Sequence, residues 1–353
     1  MRRFFFGVRW VYLYEAADRK DPLMTQASTA HIEFDRRTQP YRRELLAHCY
    51  RMLGSPDDAE DLVQETYLRA WRAFDGFEGR SSVRTWLYQI ATNACLSALR
   101  HRSRRVLPSG LGAPAADPSA APAMDFDVRW LGPMPDALVT DESEDPASVV
   151  AARDSLRLAL IACLQQLSAK QRAVLLLRDI LDFPAADVAE LLGSTTAAVK
   201  SSLQRARARL DELGAVAADA SNPTEPEQRA LLDAYMTAFQ NADPDAIERL
   251  LHRDAVLEMP PATTWFAGKR TCVGYLATQV LGTPGDWLML ANIANGQPAA
   301  VAYLREPGGG YQAFGLAVLT TTDGAITRIA AFGDANLVTS CGFPATMPEP
   351  AEP

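Results

Sequence analysis

Between Thr196 and Leu210 the chain carries Lys200, Arg205, Arg207 and Arg209 with no acidic residue among them. Val199, Leu203, Ala206 and Leu210 recur at three and four, so the cations, Ser201 and Gln204 fall on the other faces of one helix. Small and polar residues at its first turn can reach base edges, and cations behind them can hold phosphates. A second set lies far upstream. Trp86, Gln89, Asn93, Ser97 and Arg100 lie opposite a core stripe of Val83, Leu87, Ile90, Ala91, Ala94 and Ala98, with Arg84 nearby and Arg102, Arg104 and Arg105 beyond. An aromatic for base stacking, an Asn able to bond adenine bidentately and flanking Arg suit single-stranded DNA. A Trp at this spacing also serves as ordinary core, and a basic helix as a solvated face.

Several elements must position these sets. Tyr41, Leu45, Leu46, Cys49, Met52 and Leu53 predict one helix, broken at Gly54-Ser55-Pro56. Ser55 or Asp57 caps a second, running to about Phe74; Ser81 or Ser82 starts a third, to about Arg102. On the second, Ala59, Leu62, Val63, Thr66 and Ala70 point one way, and Asp61, Gln64, Glu65, Leu68 and Arg72 another. The basic helix follows an Ala-rich one, Ala185–Leu192, across Gly193, with Thr195 or Thr196 as its cap: a helix–turn–helix. Residues 106–146, dense in Pro, Ala, Gly and Asp, read as a linker without its own core. After a second linker at 217–226, helices at 227–241 and 244–251 precede β-rich runs at 255–259, 287–295, 299–305, 311–322 and 326–334, an α+β pattern.

The 353 residues carry a net charge of −8 that conceals unlike blocks. Residues 36–105 hold 13 basic and 8 acidic residues, 106–152 hold 1 and 8, 153–213 hold 9 and 7, and 214–353 hold 7 and 15. Two basic modules joined by an acidic connector, then an acidic module, fit nucleic-acid binding with an attachment. An apolar content of 48% excludes disorder throughout, and no apolar run of about 18 residues offers a membrane span. Five scattered cysteines give neither a disulfide framework nor a zinc site, and fit a reducing cytoplasm. Met1–Glu15 opens like a signal peptide, but Arg9 interrupts it; residues 1–35 are expected to be a disordered leader, with Met24 a second candidate start.

Tyr41–Leu46, Asp57–Thr66 and Arg84–Asn93 together resemble region 2 of an extracytoplasmic-function (ECF) sigma factor of the sigma-70 family. Leu167–Asp179 and the helix–turn–helix resemble region 4. Met259-Pro260-Pro261, Trp265-Phe266-x-Gly268 and Ala294–Ala300 resemble a SnoaL-like, NTF2-like cone. The resemblance implies a leader (1–35), region 2 (36–105), an acidic linker (106–148), region 4 (149–213), a second linker (214–226), the SnoaL-like domain (227–345) and a tail (346–353): two all-α sigma domains and an α+β cone. It implies that Asp61, Gln64, Glu65 and Leu68 dock on the β′ clamp helices of core RNA polymerase, with the β flap a further contact. Arg84, Trp86, Asn93 and Arg100 then serve the promoter −10 element, and Thr196, Lys200, Ser201, Gln204 and Arg205 the −35 major groove. Trp130, Leu131, Pro133 and Pro135 stand where such proteins contact linker and tail, with Trp130 the expected apolar anchor. The resemblance further implies that the tail takes the place of a separate anti-sigma protein and regulates in cis.

Stacking one base is worth about 1–3 kcal/mol, whereas unpairing costs about 1.4 kcal/mol per step. One Trp and a few Arg cannot open a bubble of some ten steps; polymerase must supply most of the energy. Two other readings are an operator-binding regulator that works without polymerase, and a SnoaL-like cyclase or isomerase fused to a DNA-binding module. The second would use Glu258, Asp254 or Asp334, with His252 nearby, as general base. No catalytic, cofactor or metal site is expected. A small apolar ligand in the cone's pocket is the remaining expectation.

Overall fold

The computed structural model describes residues 22–100, 102–140, 150, 153–213 and 225–349. Helix α1 (Pro22–Thr38) leads into α2 (Arg42–Leu53), α3 (Pro56–Ala73) and α4 (Val83–Leu99), a bundle whose starts match the expected breaks. Ser55 caps α3 through Asp58 N–H at 3.3 Å, and Ser82 caps α4 through Thr85 N–H at 3.0 Å. Leu45, Cys49, Met52, Val63, Leu87 and Ala91 are buried between the helices. The leader expectation is corrected over 22–35: Phe34 is 3% exposed against Tyr67, Trp71 and Phe74, and burying that ring fixes the helix. Residues 1–21 lie outside the described residues.

The second helical module comprises α5 (Leu158–Leu164), α6 (Ala169–Leu175, extended by a π turn to Ile180), α7 (Ala185–Leu191) and α8 (Thr196–Glu212). Ser168 and Gln171 close a capping box on α6.

The C-terminal module packs α9 (Glu225–Gln240), α10 (Pro244–Leu250) and α11 (Lys269–Tyr275, extended to Val280) on a curved sheet. Strands β1 (Leu251–Glu258), β2 (Trp265–Ala267), β3 (Trp287–Ala294), β4 (Gln297–Arg305), β5 (Tyr311–Thr322) and β6 (Ala325–Phe332) run in the order β2-β1-β6-β5-β4-β3. Only the β1–β6 pair is parallel. Helix α12 (Ala335–Ser340) follows, and β7 (Thr346–Met347) pairs with β5, so the domain runs past the expected boundary at 345. The sequence carries no signal for β2 and β7, which are too short to show alternation. Both faces of the sheet are covered. On β4, Ala299, Val301 and Tyr303 join the core shared with the helical modules, while Ala300 and Ala302 face the cone's interior, which makes β4 a continuous apolar run.

The linker is also corrected. Residues 106–140 have almost no regular structure, yet Leu107, Leu131, Met134 and Val139 are 0–8% exposed within the core of the helical modules. The segment is a strap rather than a tether, because its few apolar side chains and backbone polar groups find partners in the modules on either side.

Candidate functional site

On α4, Trp86, Asn93 and Arg100 are seven residues apart, two helical turns, so they share one face. Asn93 and Arg100 are exposed; Trp86 is half-buried and stacks on Phe77 at 4.7 Å between centroids and 29° between planes. Arg84 does not join them. Its guanidinium bonds Glu44 at 2.8 Å and lies 5.1 Å from the Tyr88 ring and 5.2 Å from the ring of Phe183, just ahead of the helix–turn–helix. The run after α4 is engaged as well: Arg102, Arg105 and Arg129 converge on one oxygen of Asp58 at 3.1, 2.8 and 2.7 Å. Burial raises the Asp58 pKa, but Arg105 and the other two cations outweigh it and leave the carboxyl below its usual range.

Along α3, Asp61 and Gln64 are exposed, Glu65 pairs with Arg69 at 2.8 Å, and Leu68 is 51% exposed. In the second module Thr195 caps α8 through Ala198 N–H at 3.2 Å, and Gly193 turns the chain at φ +55. Thr196, Lys200, Ser201, Gln204 and Arg205 are all exposed, with Arg205 donating to Ser201 at 2.6 Å. Arg207 is held by both oxygens of Asp179, at 2.7 and 2.8 Å, and Arg209 by Glu212 at 2.8 Å. This face of α8 is therefore open. By contrast, Asp187, Glu190 and Leu191 of α7 line the same groove as Trp86, Gln89 and Arg80.

The three modules meet at Asn295, in the β3–β4 turn, which is fully buried at φ +57. Its N–H donates to Met134 O at 2.8 Å and its Oδ1 accepts from Met134 N–H at 2.9 Å. Its Nδ2 donates to Tyr50 Oη of α2 and to Leu156 O ahead of α5, both at 2.7 Å. Gly296 N–H donates to the buried Asp136 at 2.8 Å, and Gln297 Oε1 accepts from Leu158 N–H at 3.0 Å. A Cβ on Gly296 would lie 2.5 Å from Arg153 O, so only glycine permits the approach. Tyr50 Oη donates in turn to Gly132 O at 3.0 Å. Two buried arginines join the helical modules: Arg51 donates to Ser155 Oγ at 2.6 Å, and Arg172 to Gln165 Oε1 at 2.8 Å and to Met52 O. Burial lowers both to about 10, which leaves them charged at neutral pH.

Of the expected linker contacts, Pro135 forms a bridge with Ala294, while Leu131 is buried in the core of the helical modules. Pro133 and Trp130 line a groove shared with Pro260, Pro261 and Phe332. Trp130 is not the apolar anchor expected of it: it stays half-exposed with its indole N–H on Asp125 O at 2.9 Å, and the anchors are Leu131 and Met134. The longer unbranched Met and the Leu fill the core where a ring would not fit its polar N–H. Asn295, Gln297, Asp136, Tyr50, Arg51 and Arg172 were missed as site residues, although the Ala294–Ala300 motif contains the first two.

The Sigma-70 region 2 model matches residues 38–105, the Sigma-70 region 4 model residues 157–210, and the SnoaL-like domain model residues 232–329. The chain is 49% identical over 317 residues to the ECF RNA polymerase sigma factor SigG of Mycobacterium tuberculosis, covering 89% of this chain and 85% of that one. It is 27% identical over 291 residues to the probable ECF sigma factor SigI of the same species, covering 82% and 89%. The chain belongs to the ECF RNA polymerase sigma factors. The crystal structure of M. tuberculosis SigJ shares the fold, with a TM-score of 0.53 at 23% identity over 87% of this chain and 98% of that one.

ECF sigma factors act with core RNA polymerase and promoter DNA, and they are initiation factors rather than enzymes. In this sigma factor the four residues considered for a cyclase's general base are placed as follows. Glu258 is fully buried, paired with Arg328, and accepts Ser109 N–H of the linker at 2.8 Å. Asp334 caps α12 through Asn336 N–H at 2.9 Å. His252, half-buried, and Asp254, exposed, lie on β1, where Asp254 pairs with Arg253 at 3.0 Å. None of these four lines the cone's interior cavity. Among the described residues no helix is long and apolar enough to cross a membrane, and no cluster of His, Cys, Asp and Glu suits a metal.

Proposed function

We propose that this sigma factor docks on the β′ clamp helices through Asp61, Gln64, Glu65 and Leu68, and reads the −35 groove with Thr196, Lys200, Ser201, Gln204 and Arg205. Trp86, Asn93 and Arg100 take bases and phosphates at the −10 element, and Arg84 joins them when region 4 moves away. The SnoaL-like domain is non-catalytic and holds the chain closed in cis through the Asn295 junction. Closure is the observation that carries the cis role. Elements named for positions about 25 base pairs apart are separated by roughly 85 Å at about 3.4 Å per pair. Arg84 lies 5.2 Å from the Phe183 ring, and α8, with 17 residues, is only about 25 Å long. Both elements cannot be held until that contact opens.

Multi-round transcription with core polymerase on a genomic fragment library tests the proposal. Full-length chain, a chain released at the junction and residues 24–215 are compared. Promoter-specific transcripts that increase on release support closure in cis. Transcripts that fall on release would give the tail the opposite sign. Absence of transcripts and of core binding in all three would favour the operator-binding reading.

A further inference from the structure

Trp86 is held by a relay of side chains that begins outside region 2. Arg37 stands in the last turn of α1, one residue ahead of the span 38–105 matched by the Sigma-70 region 2 model. Its guanidinium lies 5.6 Å from the centre of the Phe74 ring and 5.5 Å from that of Phe77. It makes no hydrogen bond or ion pair among the described residues, because Glu33, one turn earlier, is taken on both oxygens by Arg36 at 2.9 Å. A half-buried cation with five N–H donors and no acceptor is held there by the faces of two rings.

The rings are fixed in order. Phe74 packs edge-on against the buried Phe34 of α1 at 5.2 Å. Phe77 follows a 3-10 turn over Phe74–Gly76, which its N–H closes on Phe74 O at 3.0 Å. Phe77 in turn stacks on Trp86, and both line a groove of about 530 Å3 with Arg80, Ser82, Thr85 and Gln89. That volume has room for a nucleoside. The Trp86 indole N–H makes no hydrogen bond among the described residues, so packing alone sets the angle of the ring. A platform already in place spares the cost of ordering it when a base arrives.

We propose that Arg37 is a positioning residue for promoter opening: seated on Phe74 and Phe77, it fixes the Phe77 ring and through it the Trp86 indole, which takes an unpaired base at the −10 element. This role, which rests on the reading of Trp86 as that base's platform, adds α1 to the −10 site. A glutamine at position 37 keeps the helix propensity and most of the length but removes the attraction to both rings.

The test measures permanganate reactivity of a promoter recovered in the transcription comparison, with holoenzyme formed from the full-length chain. Arg37→Gln should lower opening about 5-fold, or about 1 kcal/mol, with core binding within about 2-fold of wild type. Arg37→Lys, which keeps a cation over the rings, should lose only about 2-fold. In a Trp86→Ala chain, Arg37→Gln should cost nothing further, because the ring it positions is gone. The log–log salt slope of opening should stay as in wild type. Losses that add in the double variant would place the effect of Arg37 elsewhere and overturn the relay. A slope flattened by about 0.7 would make Arg37 a ligand of a single-strand phosphate and overturn the positioning role. Core binding lost in step with opening would overturn it too, leaving Arg37 a brace for region 2. Normal opening with Trp86→Ala would refute the platform reading itself, whereas a Trp86→Ala defect beside an unaffected Arg37→Gln chain would refute the positioning role alone.

Discussion

Replacing Asn295 by glycine tests the junction at its most connected side chain. Glycine accepts the φ of +57, so the change removes hydrogen bonds without adding left-handed strain. Three side-chain bonds go, to Met134 N–H, Tyr50 Oη and Leu156 O. At about 0.5–1.5 kcal/mol net each the sum is about 3 kcal/mol, and roughly 150-fold in the ratio of docked to undocked tail. Met134 N–H loses its own acceptor and would exchange faster even with the tail in place. Gly296 N–H and Leu158 N–H keep theirs, on Asp136 and Gln297, and exchange only if the modules separate. Both should accelerate about 100-fold in hydrogen-exchange mass spectrometry or NMR of the full-length chain. Tyr50→Phe, which removes one of the three bonds together with the bond from Tyr50 Oη to Gly132 O in the linker, should give about 5-fold at Gly296 and Leu158. Acceleration confined to Met134, with Gly296 and Leu158 within 3-fold of wild type, would show that the side chain is a local fixture and refute the junction argument.

Other perturbations separate the remaining parts. Gly296→Ala meets Arg153 O at 2.5 Å, whereas Gly324→Ala meets open space at φ +72; the second should cost only about 1–2 kcal/mol in thermal unfolding, the first visibly more. Trp86→Ala should reduce promoter opening, read by permanganate reactivity, by about 1–3 kcal/mol while core binding holds; equal loss of both would sink its role in melting. Lys200→Ala and Arg205→Ala should each flatten the salt dependence of −35 binding by about 0.9 in the log–log slope for every phosphate that is no longer neutralised. His48, buried beside Arg51 with Nε2 3.0 Å from Thr92 Oγ1, is held at about 3 by burial and the neighbouring guanidinium. Its folded pKa lies below the ordinary 6.5, so the unfolded chain takes the proton first. Stability is full above pH 6.5 and falls as pH drops through the window from 6.5 to 3. Urea unfolding at pH 6 and pH 5 should differ by about 1 kcal/mol more in wild type than in His48→Gln.

The helical modules were legible because their signals are local. Ser55, Ser82 and Thr195 cap residues three positions away, and the core stripes repeat every three or four. The linker was not legible for the opposite reason. Ser109 finds Glu258, and Met134 finds Asn295, across about 150 residues. Nothing in the composition of residues 106–146 marks those pairings, and Pro- and Ala-rich sequence looks the same in a strap and a tether. The basic run after α4 misleads similarly. Arg102 and Arg105 suggest phosphates until Asp58, more than 40 residues earlier, is placed between them. The α8 residues proposed to read the −35 groove come from the pattern of a single helix, and what the structure adds is that all five are exposed on it.

Energetics argue that release of the closed chain is completed by polymerase rather than by the junction alone. Leu107, Leu131, Met134 and Val139 leave water almost completely in the closed form. Burying each is worth about 1.5–3 kcal/mol, so stripping all four from the sigma core would cost roughly 6–12 kcal/mol. The polar contacts behave differently. Asn295, Gln297, Arg51 and Arg172 exchange protein partners for water when the modules part, at a net of about 1 kcal/mol per hydrogen bond. A trigger acting on the junction can therefore shift the equilibrium by a few kcal/mol without opening the strap. Covering the four apolar side chains afresh requires an interface, which a clamp closing on Leu68 and the linker would supply. It follows that the Asn295→Gly chain alone should expose the junction amides while the linker anchors stay protected. Exchange at Leu131 N–H, bonded to Val106 O at 2.9 Å, should rise only when core polymerase is added. Leu131 exchanging as fast as Gly296 in the free variant would mean that strap and junction open as one unit, and the two-step release would be wrong.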